Sequence, residues 1–541
     1  MKKTKQAWRE AKQYTDEERS IAKLVLDEII AGTPVMKAIH TYPLKAGGYI
    51  AKHALVARYQ ELVQDGTYQN DPVFLTRIRM KPIRSLSGVT TVTVLTKPYP
   101  CPGDCIFCPD DKELPKSYLR EEPGAARAFE NQFDPYLQVS SRLASYDAIG
   151  HPTSKIELLI LGGSWTAYPE EYQAWFIQRC LDAMNGTDSA TLEEAQVVNQ
   201  TSARRNVGLV VETRPDTIDP AVLAGMRRMG VTKVQIGAQS FNDEILEKNQ
   251  RGHTAEVTLQ AVSMLRAAGF KIVMHWMPNL LGATLVSDRA DFVKMWEGGY
   301  CPDEIKIYPT QLIESSQLYQ YWLQGAYKPY TTQELVRLIA DIKPGIPEYC
   351  RVNRIIRDIP STYIIDGNKR SSLRQDVQRE LAARGEQCRC IRCREIRGKL
   401  VEENTLELND LVYRPPYSEE HFLHYRTPDD HLAGYLRLSF PDLSTEKGKQ
   451  IYQQVAQRIP ELHGCAIIRE VHIYGQSLQF GAEKSGAAQH VGLGSRLIEK
   501  AVELCCARDI NKLAVIAAIG THQYYLERGF TGGDLYMIRP L

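Results

Sequence analysis

Residues 155–163, Lys-Ile-Glu-Leu-Leu-Ile-Leu-Gly-Gly, form a short apolar run that stops at two glycines. The length and the terminal glycines favour a buried β-strand over a helix. The run is one of six: VTTVTVL (89–95), KIELLILGG (155–163), NVGLVVET (206–213), KVQIGAQS (233–240), KIVMHWMP (271–278) and EIKIYPT (304–310). Amphipathic, helix-patterned segments separate them. Strand and helix alternating in this way from about residue 85 to 340 imply an α/β fold, with a parallel sheet or barrel clothed by outer helices.

Different patterns flank this stretch. Residues 1–75 read as a helical segment, with Ile21, Leu24, Val25, Ile29 and Ile30 at helical spacing. Residues 76–344 hold the alternating region, and residues 345–410 break the rhythm, being rich in arginine and carrying a second cysteine group. Residues 411–541 begin again as a separate α+β domain, with strand candidates HLAGYLRLSF, CAIIREVHIYG and KLAVIAAIG and a helix over 492–506. A length of 541 residues suits several domains, and 43% hydrophobic with 24% charged residues excludes a disordered or fibrous chain. Lys plus Arg number 66 against 65 Asp plus Glu, so a polyanionic partner has to be held by local patches. No apolar run approaches the length of a spanning helix and no secretory pattern opens the chain, so the expected location is cytoplasmic. The 12 cysteines gather in two short groups rather than spreading as a disulfide framework, which points to metals.

The first group is Cys101, Cys105 and Cys108 in KPYPCPGDCIFCPD. This C-x3-C-x2-C spacing lets one loop present three thiolates. A closed zinc site takes four ligands, whereas a 4Fe-4S cluster on three cysteines keeps one iron open. Here the sequence resembles the radical S-adenosylmethionine superfamily, whose open iron chelates S-adenosylmethionine and whose fold is a partial TIM-type barrel. The resemblance implies a 4Fe-4S cluster, S-adenosylmethionine as cofactor and reductive formation of a 5′-deoxyadenosyl radical. It makes Gly162 and Gly163 the methionine-recognition motif. Glu212 in VVETRPD and Gln239 in IGAQS end later strands, where barrel sites collect, and are candidates for ribose or adenine.

In the last domain, Gln489-His490-Val491-Gly492-Leu493-Gly494-Ser495 leads into a helix with Leu497, Ile498, Ala501 and Val502 on its apolar face. Glycines at a helix entrance bare N–H groups for a diphosphate, and the helix dipole adds to the attraction. Q-x-x-G-x-G resembles the acetyl-CoA motif of the GCN5-related acetyltransferases, and THQYYLERGF resembles their closing helix. By that resemblance Glu470, Val471, His472 and Ile473 form the splayed strand that pairs with pantetheine through its backbone. Tyr525 stands where it can protonate a departing thiolate, or else packs on the core. His472 and His490 read as structural.

Together with the cysteine-bearing linker, the chain from about residue 75 to the end resembles the catalytic-subunit family of Elongator. Its signatures here include KPIRSLSGV, LGGSWTAYPEEYQ, HWMPNLLG and RIIRDIPS. The resemblance implies a tRNA wobble-uridine carboxymethyl synthase. In that reaction the radical takes hydrogen from the acetyl methyl of acetyl-CoA, the carbon adds to C5 of uridine, and thioester hydrolysis frees CoA. It makes Lys155 an acetyl-CoA contact. The expected partner is the anticodon stem-loop of tRNA, whose unstacked bases suit such chemistry. Basic stretches agree: Arg77, Arg79, Lys81 and Arg84, then Arg351, Arg354, Arg357, Lys369, Arg370 and Arg374, then the arginines around the second cysteine group. In that group Cys388, Cys390 and Cys393 are expected to hold Zn2+, with Cys350 the candidate fourth ligand and His421 or His424 the alternatives. The competing reading is a protein lysine acetyltransferase with a structural Fe-S domain.

Overall fold

The computed structural model describes residues 14–81, 87–397, 403–474 and 492–541. The chain divides into two compact units, one running up to Thr90 together with Ser140–Thr153 and the other comprising Thr91–Val139 with Ser154–Leu541. Among the described residues, the first unit includes the helices Asp16–Ile30, Val35–Thr41, Lys52–Gln64 and Pro72–Ile78, with the end of Pro135–Ala148. Thr15 opens the first of them with a reciprocal capping box to Glu18. The stripe that this helix buries is Ala22, Val25, Leu26 and Ile29; Leu24 and Ile30, expected on the same face, are exposed. Tyr59, Phe74 and Ile78 complete the core.

The second unit contains two seven-stranded sheets. In the first, β1 (Thr90–Leu95), β2 (Lys155–Leu161), β3 (Arg205–Thr213), β4 (Lys233–Gln239), β5 (Lys271–Trp276), β6 (Glu304–Ile307) and β7 (Arg351–Arg354) lie in sequence order. The pairs from β2 to β7 are parallel, and the sheet curls as a partial barrel. A sheet clothed by helices buries both faces, so β5 is apolar almost throughout and wholly buried. The seventh strand extends the sheet past the boundary expected at residue 344.

The second sheet has the order β13-β14-β12-β11-β10-β9-β8. Its strands are β8 (Glu407–Tyr413), β9 (Ser418–Arg426), β10 (Leu432–Pro441), β11 (Cys465–Ile473), β12 (Lys512–Val515), β13 (Thr531–Gly532) and β14 (Met537–Pro540). Among the described residues β11 and β12 are its one parallel pair, and that pairing ends at Ile468–Val515. On its other edge β11 stays paired with β10 as far as Ile473–Gly434. The strands therefore splay between β11 and β12 from Arg469 onward. The helix Leu493–Cys506 packs beside the splay, entered through Gly492 in the left-handed region at φ 69°.

A chain of buried charges joins the two sheets. It runs with alternating sign through Glu157, Lys233, Glu304, Lys271, Glu470, Arg437, Asp303, Arg469, Glu420 and Arg266. Five cations meet five anions, so the ladder is neutral. The first four residues and Asp303 stand at the amino ends of the barrel strands, its floor, while Arg437, Glu420, Glu470 and Arg469 belong to β9–β11. No described helix is long and apolar enough to cross a membrane.

Candidate functional site

The carboxyl ends of the barrel strands gather one set of candidate residues. After β2 the chain turns through Gly162 and Gly163, at φ 126° and 79°. A side chain on Gly162 would come within 2.1 Å of Thr96 Oγ1, whereas nothing lies within 4 Å of the Cβ position of Gly163. The backbone there is open to a ligand's close approach. Tyr168 holds the turn, donating to the Gly162 carbonyl at 2.9 Å. A hydroxyl cluster of Ser164, Thr166, Thr213 and Thr217 ties the ends of β2 and β3 together at 2.6–3.1 Å.

Cys105 is buried and receives Arg251 Nη1 at 3.2 Å and Arg214 Nη1 at 3.8 Å. A hydrogen bond from Cys108, reinforced by Arg251 and Arg214 against the effect of burial, pulls its thiol down to about 5. Cys105 is thus the thiolate of the pair, whereas the bond to it and burial push the Cys108 thiol up. Gly103 lies against this guanidinium: a Cβ there would sit 2.1 Å from Arg214 Nη1 and would push it aside. Arg214 lies within the ETRPD motif, two residues after Glu212, so sequence offered a clue to it. Arg251 follows a helix and offered none.

Gln239 ends β4 with φ 71°, a left-handed conformation rare for a side-chain-bearing residue, and its Oε1 is buried without a hydrogen-bond partner. Strain and an orphaned acceptor at one strand end mark a place where a ligand donor belongs. Glu212 is half-buried, and burial raises its carboxyl above the usual range although Lys306 and Arg357 oppose the shift. Its Oε1 lies 3.7 Å from His275 Nδ1. Inside the barrel, His275 Nε2 donates to Gln235 Oε1 at 3.0 Å, and Lys306 donates to the same oxygen. Burial, followed by Lys306 and Arg357, keeps His275 neutral. His275, Gln235 and Lys306 lie in otherwise apolar runs and had no motif to announce them.

The donor set and the cradle fit a cluster with a small amino-acid-bearing ligand: three cysteines on one loop, two guanidiniums on the central thiol, a glycine turn without side chains and an unfilled amide acceptor. Among the described residues the tight set of three donors within 4.8 Å of one another is Cys388, Cys390 and Cys393, which suits a single ion. Cys101, Cys105 and Cys108 are not so compressed, as ligands to separate corners of a cluster need not be. Cys350 is fully buried next to the second triad but outside that set. His421 has both ring nitrogens engaged, by Asp410 at 2.7 Å and Glu419 at 3.1 Å, and His424 Nδ1 meets the Phe422 carbonyl at 3.0 Å.

A second set surrounds the splay. The Glu470 side chain belongs to the ladder, and Tyr435 donates to it at 2.8 Å. Gly494 lies under Tyr524, whose hydroxyl would be 2.3 Å from a Cβ there, and Arg528 Nε donates to Ser495 Oγ at 3.0 Å. Burial above all, aided by Tyr524 and Glu470, keeps the Tyr525 phenol protonated. Tyr525 also packs edge-on against Phe530, as the core reading expects. Val471 and Ile473 alternate with Glu470 and His472, and Ile473 faces the helix entrance at Gly494. Gln489, His490 and Val491 lie outside the described residues. Lys155 begins β2 at the barrel floor, opposite Arg205 of β3, with its ammonium pKa lowered by burial and by Arg205.

The basic stretches divide on inspection. Arg77 and Lys81 are exposed, Arg79 is only 6% exposed, and Arg84 lies outside the described residues. Arg357 is not a free phosphate contact: it donates to Ser117 Oγ at 2.8 Å and to Glu122 at 2.9 Å. Arg351 pairs with Glu395 at 2.7 Å, Arg394 with Asp430 at 3.0 Å, and Arg374 donates to the Val352 and Asn353 carbonyls.

Comparison with known proteins agrees with this geometry. Residues 99–293 match the Radical SAM superfamily, and residues 302–383 match the Radical_SAM C-terminal domain. The chain is 37% identical over 493 residues to the tRNA uridine(34) acetyltransferase of Methanocaldococcus jannaschii, covering 88% of this chain and 89% of that one. It is 39% identical to the protein of the same name from Dehalococcoides mccartyi, covering 85% and 99%. With Elongator complex protein 3 of Homo sapiens it shares 32% identity, covering 91% of each chain. The solved structure of an N-terminally truncated archaeal Elp3 from Methanocaldococcus infernus superposes with a TM-score of 0.72 at 33% identity, covering 84% of this chain and all of that one.

Proposed function

Because this chain belongs to the family of tRNA uridine(34) acetyltransferases and Elongator catalytic subunits, we propose that it carboxymethylates C5 of the wobble uridine of tRNA with acetyl-CoA as the carbon source. It is a radical S-adenosylmethionine enzyme by fold and motif. A 4Fe-4S cluster carrying S-adenosylmethionine supplies one-electron chemistry when bound. Cys101, Cys105 and Cys108 hold that cluster, with Arg214 and Arg251 stabilising the Cys105 thiolate. Gly162 and Gly163 admit the methionine moiety, while Glu212 and Gln239 take the ribose or adenine. At the other end Gly492, Leu493, Gly494 and Ser495 bind the CoA diphosphate, and the β11 edge from Glu470 to Ile473 pairs with pantetheine. Lys155 contacts the acetyl end from the floor, and Tyr525 returns a proton to the CoA sulfur. Cys388, Cys390 and Cys393, with Cys350 as fourth ligand, hold Zn2+. Arg77 and Lys81 attract the phosphates of the anticodon stem-loop, and Arg79 and Arg84 are assigned to the same patch.

The observation that carries this reading is the position of the ladder. Glu470, on the strand that presents acetyl-CoA, is paired to Lys271 in the barrel floor. The face of β11 bearing Glu470 and His472 therefore abuts the barrel, which favours one composite site over a groove built to seat a protein lysine. The test is CoA release from acetyl-CoA by anaerobically reconstituted protein, with and without tRNA, combined with mass analysis of the wobble nucleoside. Release that requires tRNA and yields carboxymethyluridine is the expected result. Release that ignores tRNA and follows added peptide would restore the acetyltransferase alternative.

A further inference from the structure

On β11 the side chains of Glu470, His472 and Tyr474 alternate onto one face, since strand residues two apart share a side. That face meets the barrel floor: Glu470 pairs with Lys271, and Tyr474 receives Arg351 Nη1 at 2.9 Å. His472 stands between them. Its ring stacks on Tyr435, directly across the strand pair, at 5.7 Å and 12°, and lies 4.4 Å from the ring of Tyr474. Glu470 is fully engaged by Lys271, Arg437 and Tyr435. Tyr435 and Tyr474 are likewise committed. His472 is not: its Nε2 is shielded from solvent and has no hydrogen-bond partner.

A buried imidazole nitrogen left unpaired is costly, and such orphans in native folds ask for a ligand. The neighbourhood decides which kind. The charges around the ring are Glu470 and Glu395 on the acidic side and Lys271 and Arg351 on the basic side. Burial, with the two cations, holds the imidazole down to about 4 against the pull of Glu470 and Glu395. The ring is therefore neutral at physiological pH and carries one N–H to offer. A neutral imidazole near cations polarises a carbonyl without being titrated by it. The segment Glu470–Ile473 lies within the part of β11, from Arg469 onward, that β12 leaves unpaired.

We infer that His472 donates its Nε2 hydrogen to the thioester carbonyl oxygen of bound acetyl-CoA and so fixes the acetyl group against the barrel floor. This rests on the acetyl-CoA reading above and adds to it a side chain that reads the acyl group, distinct from the backbone edge that reads the pantetheine. The oxygen is the one that gains negative charge when water adds to the thioester. His472 thereby serves substrate selection and positioning at once.

The experiment is calorimetric titration of the full-length, cluster-loaded protein, without tRNA, using two ligands: acetyl-CoA and S-ethyl-CoA, the thioether that lacks the carbonyl oxygen. Wild type is expected to prefer acetyl-CoA. His472→Phe, which keeps the stacking, should reduce that preference about fivefold, the worth of one neutral hydrogen bond. His472→Gln, which returns an N–H donor, should recover part of it. If wild type binds the two ligands equally, the inference fails whatever the variants do. It fails too if both variants weaken both ligands in the same proportion, the pattern of a purely structural ring. If wild type binds neither ligand, the acetyl-CoA reading falls with it, so the two failures are distinguishable.

Discussion

Asp303 is the residue at which the union of the two sheets can be tested most directly. Its side chain is fully buried; Arg469 reaches its two oxygens at 2.8 and 2.6 Å, Arg437 approaches at 3.3 Å, and the Ile272 N–H donates at 2.8 Å. Burial opposes its ionisation, yet Arg469 and Arg437 hold its carboxyl well below the usual range. Asp303→Ala would leave the ladder with one uncompensated buried positive charge, and breaking one partner from a buried pair costs about 3–5 kcal/mol. Asp303→Asn keeps the shape, and Arg469 retains Glu420 at 2.9 Å while Arg437 retains Glu470 at 3.0 Å. The loss should then sit at the lower end, about 3 kcal/mol. Chains of this size do not unfold in one step, so the measurement is amide hydrogen exchange on β5, β10 and β11 rather than a single melting point. Adding Arg469→Met to Asp303→Asn should recover more than about 1 kcal/mol, because the ladder's excess positive charge is removed. A loss below about 1 kcal/mol, or strict additivity of the pair, would refute the idea that this ladder fixes β11 on the floor.

Cys105→Ser should leave the protein folded with less than a tenth of its cluster iron, measured by iron analysis after anaerobic reconstitution, because one of three ligands is lost from the open-iron site. Gly162→Ala meets both a positive φ and Thr96 Oγ1 at 2.1 Å, so S-adenosylmethionine affinity should drop at least tenfold in equilibrium binding. Tyr525→Phe should slow tRNA-triggered CoA release by about 10²-fold or more with little change in acetyl-CoA affinity, the signature of a lost general acid. In acid, the junction should loosen through Glu470. Despite burial, Lys271 and Arg437 lower its folded pKa to about 2; the unfolded value is about 4.3. Its contribution is present above pH about 4.3 and disappears as pH falls toward about 2, so exchange at β11 should accelerate across that window and do so less in Glu470→Gln.

Much of the barrel was legible because its strands are short apolar runs that end in glycine or a polar residue, and periodicity needs only neighbours to be read. The glycine turn at 162–163, the cysteine loop, the splayed strand and the helix entrance are likewise local patterns. The strands β8 and β9 were missed, since alternating polar positions such as Asp410, Glu419 and His421 gave them no continuous apolar signal. Arg357 and Arg351 looked like phosphate ligands in the sequence, whereas the fold spends them on Glu122, Ser117 and Glu395.

The sequence by itself determined which chemistry each half could host, because cofactor-binding loops and turns are made of residues close together along the chain. Only the tertiary structure decided how those halves serve one another. The ladder from Glu157 to Arg266 draws on residues more than 300 positions apart, and no local pattern records that Lys271 will meet Glu470 or that His472 will be left with an unused nitrogen. Such pairings are fixed by burial, where a charge without its opposite is too costly to keep.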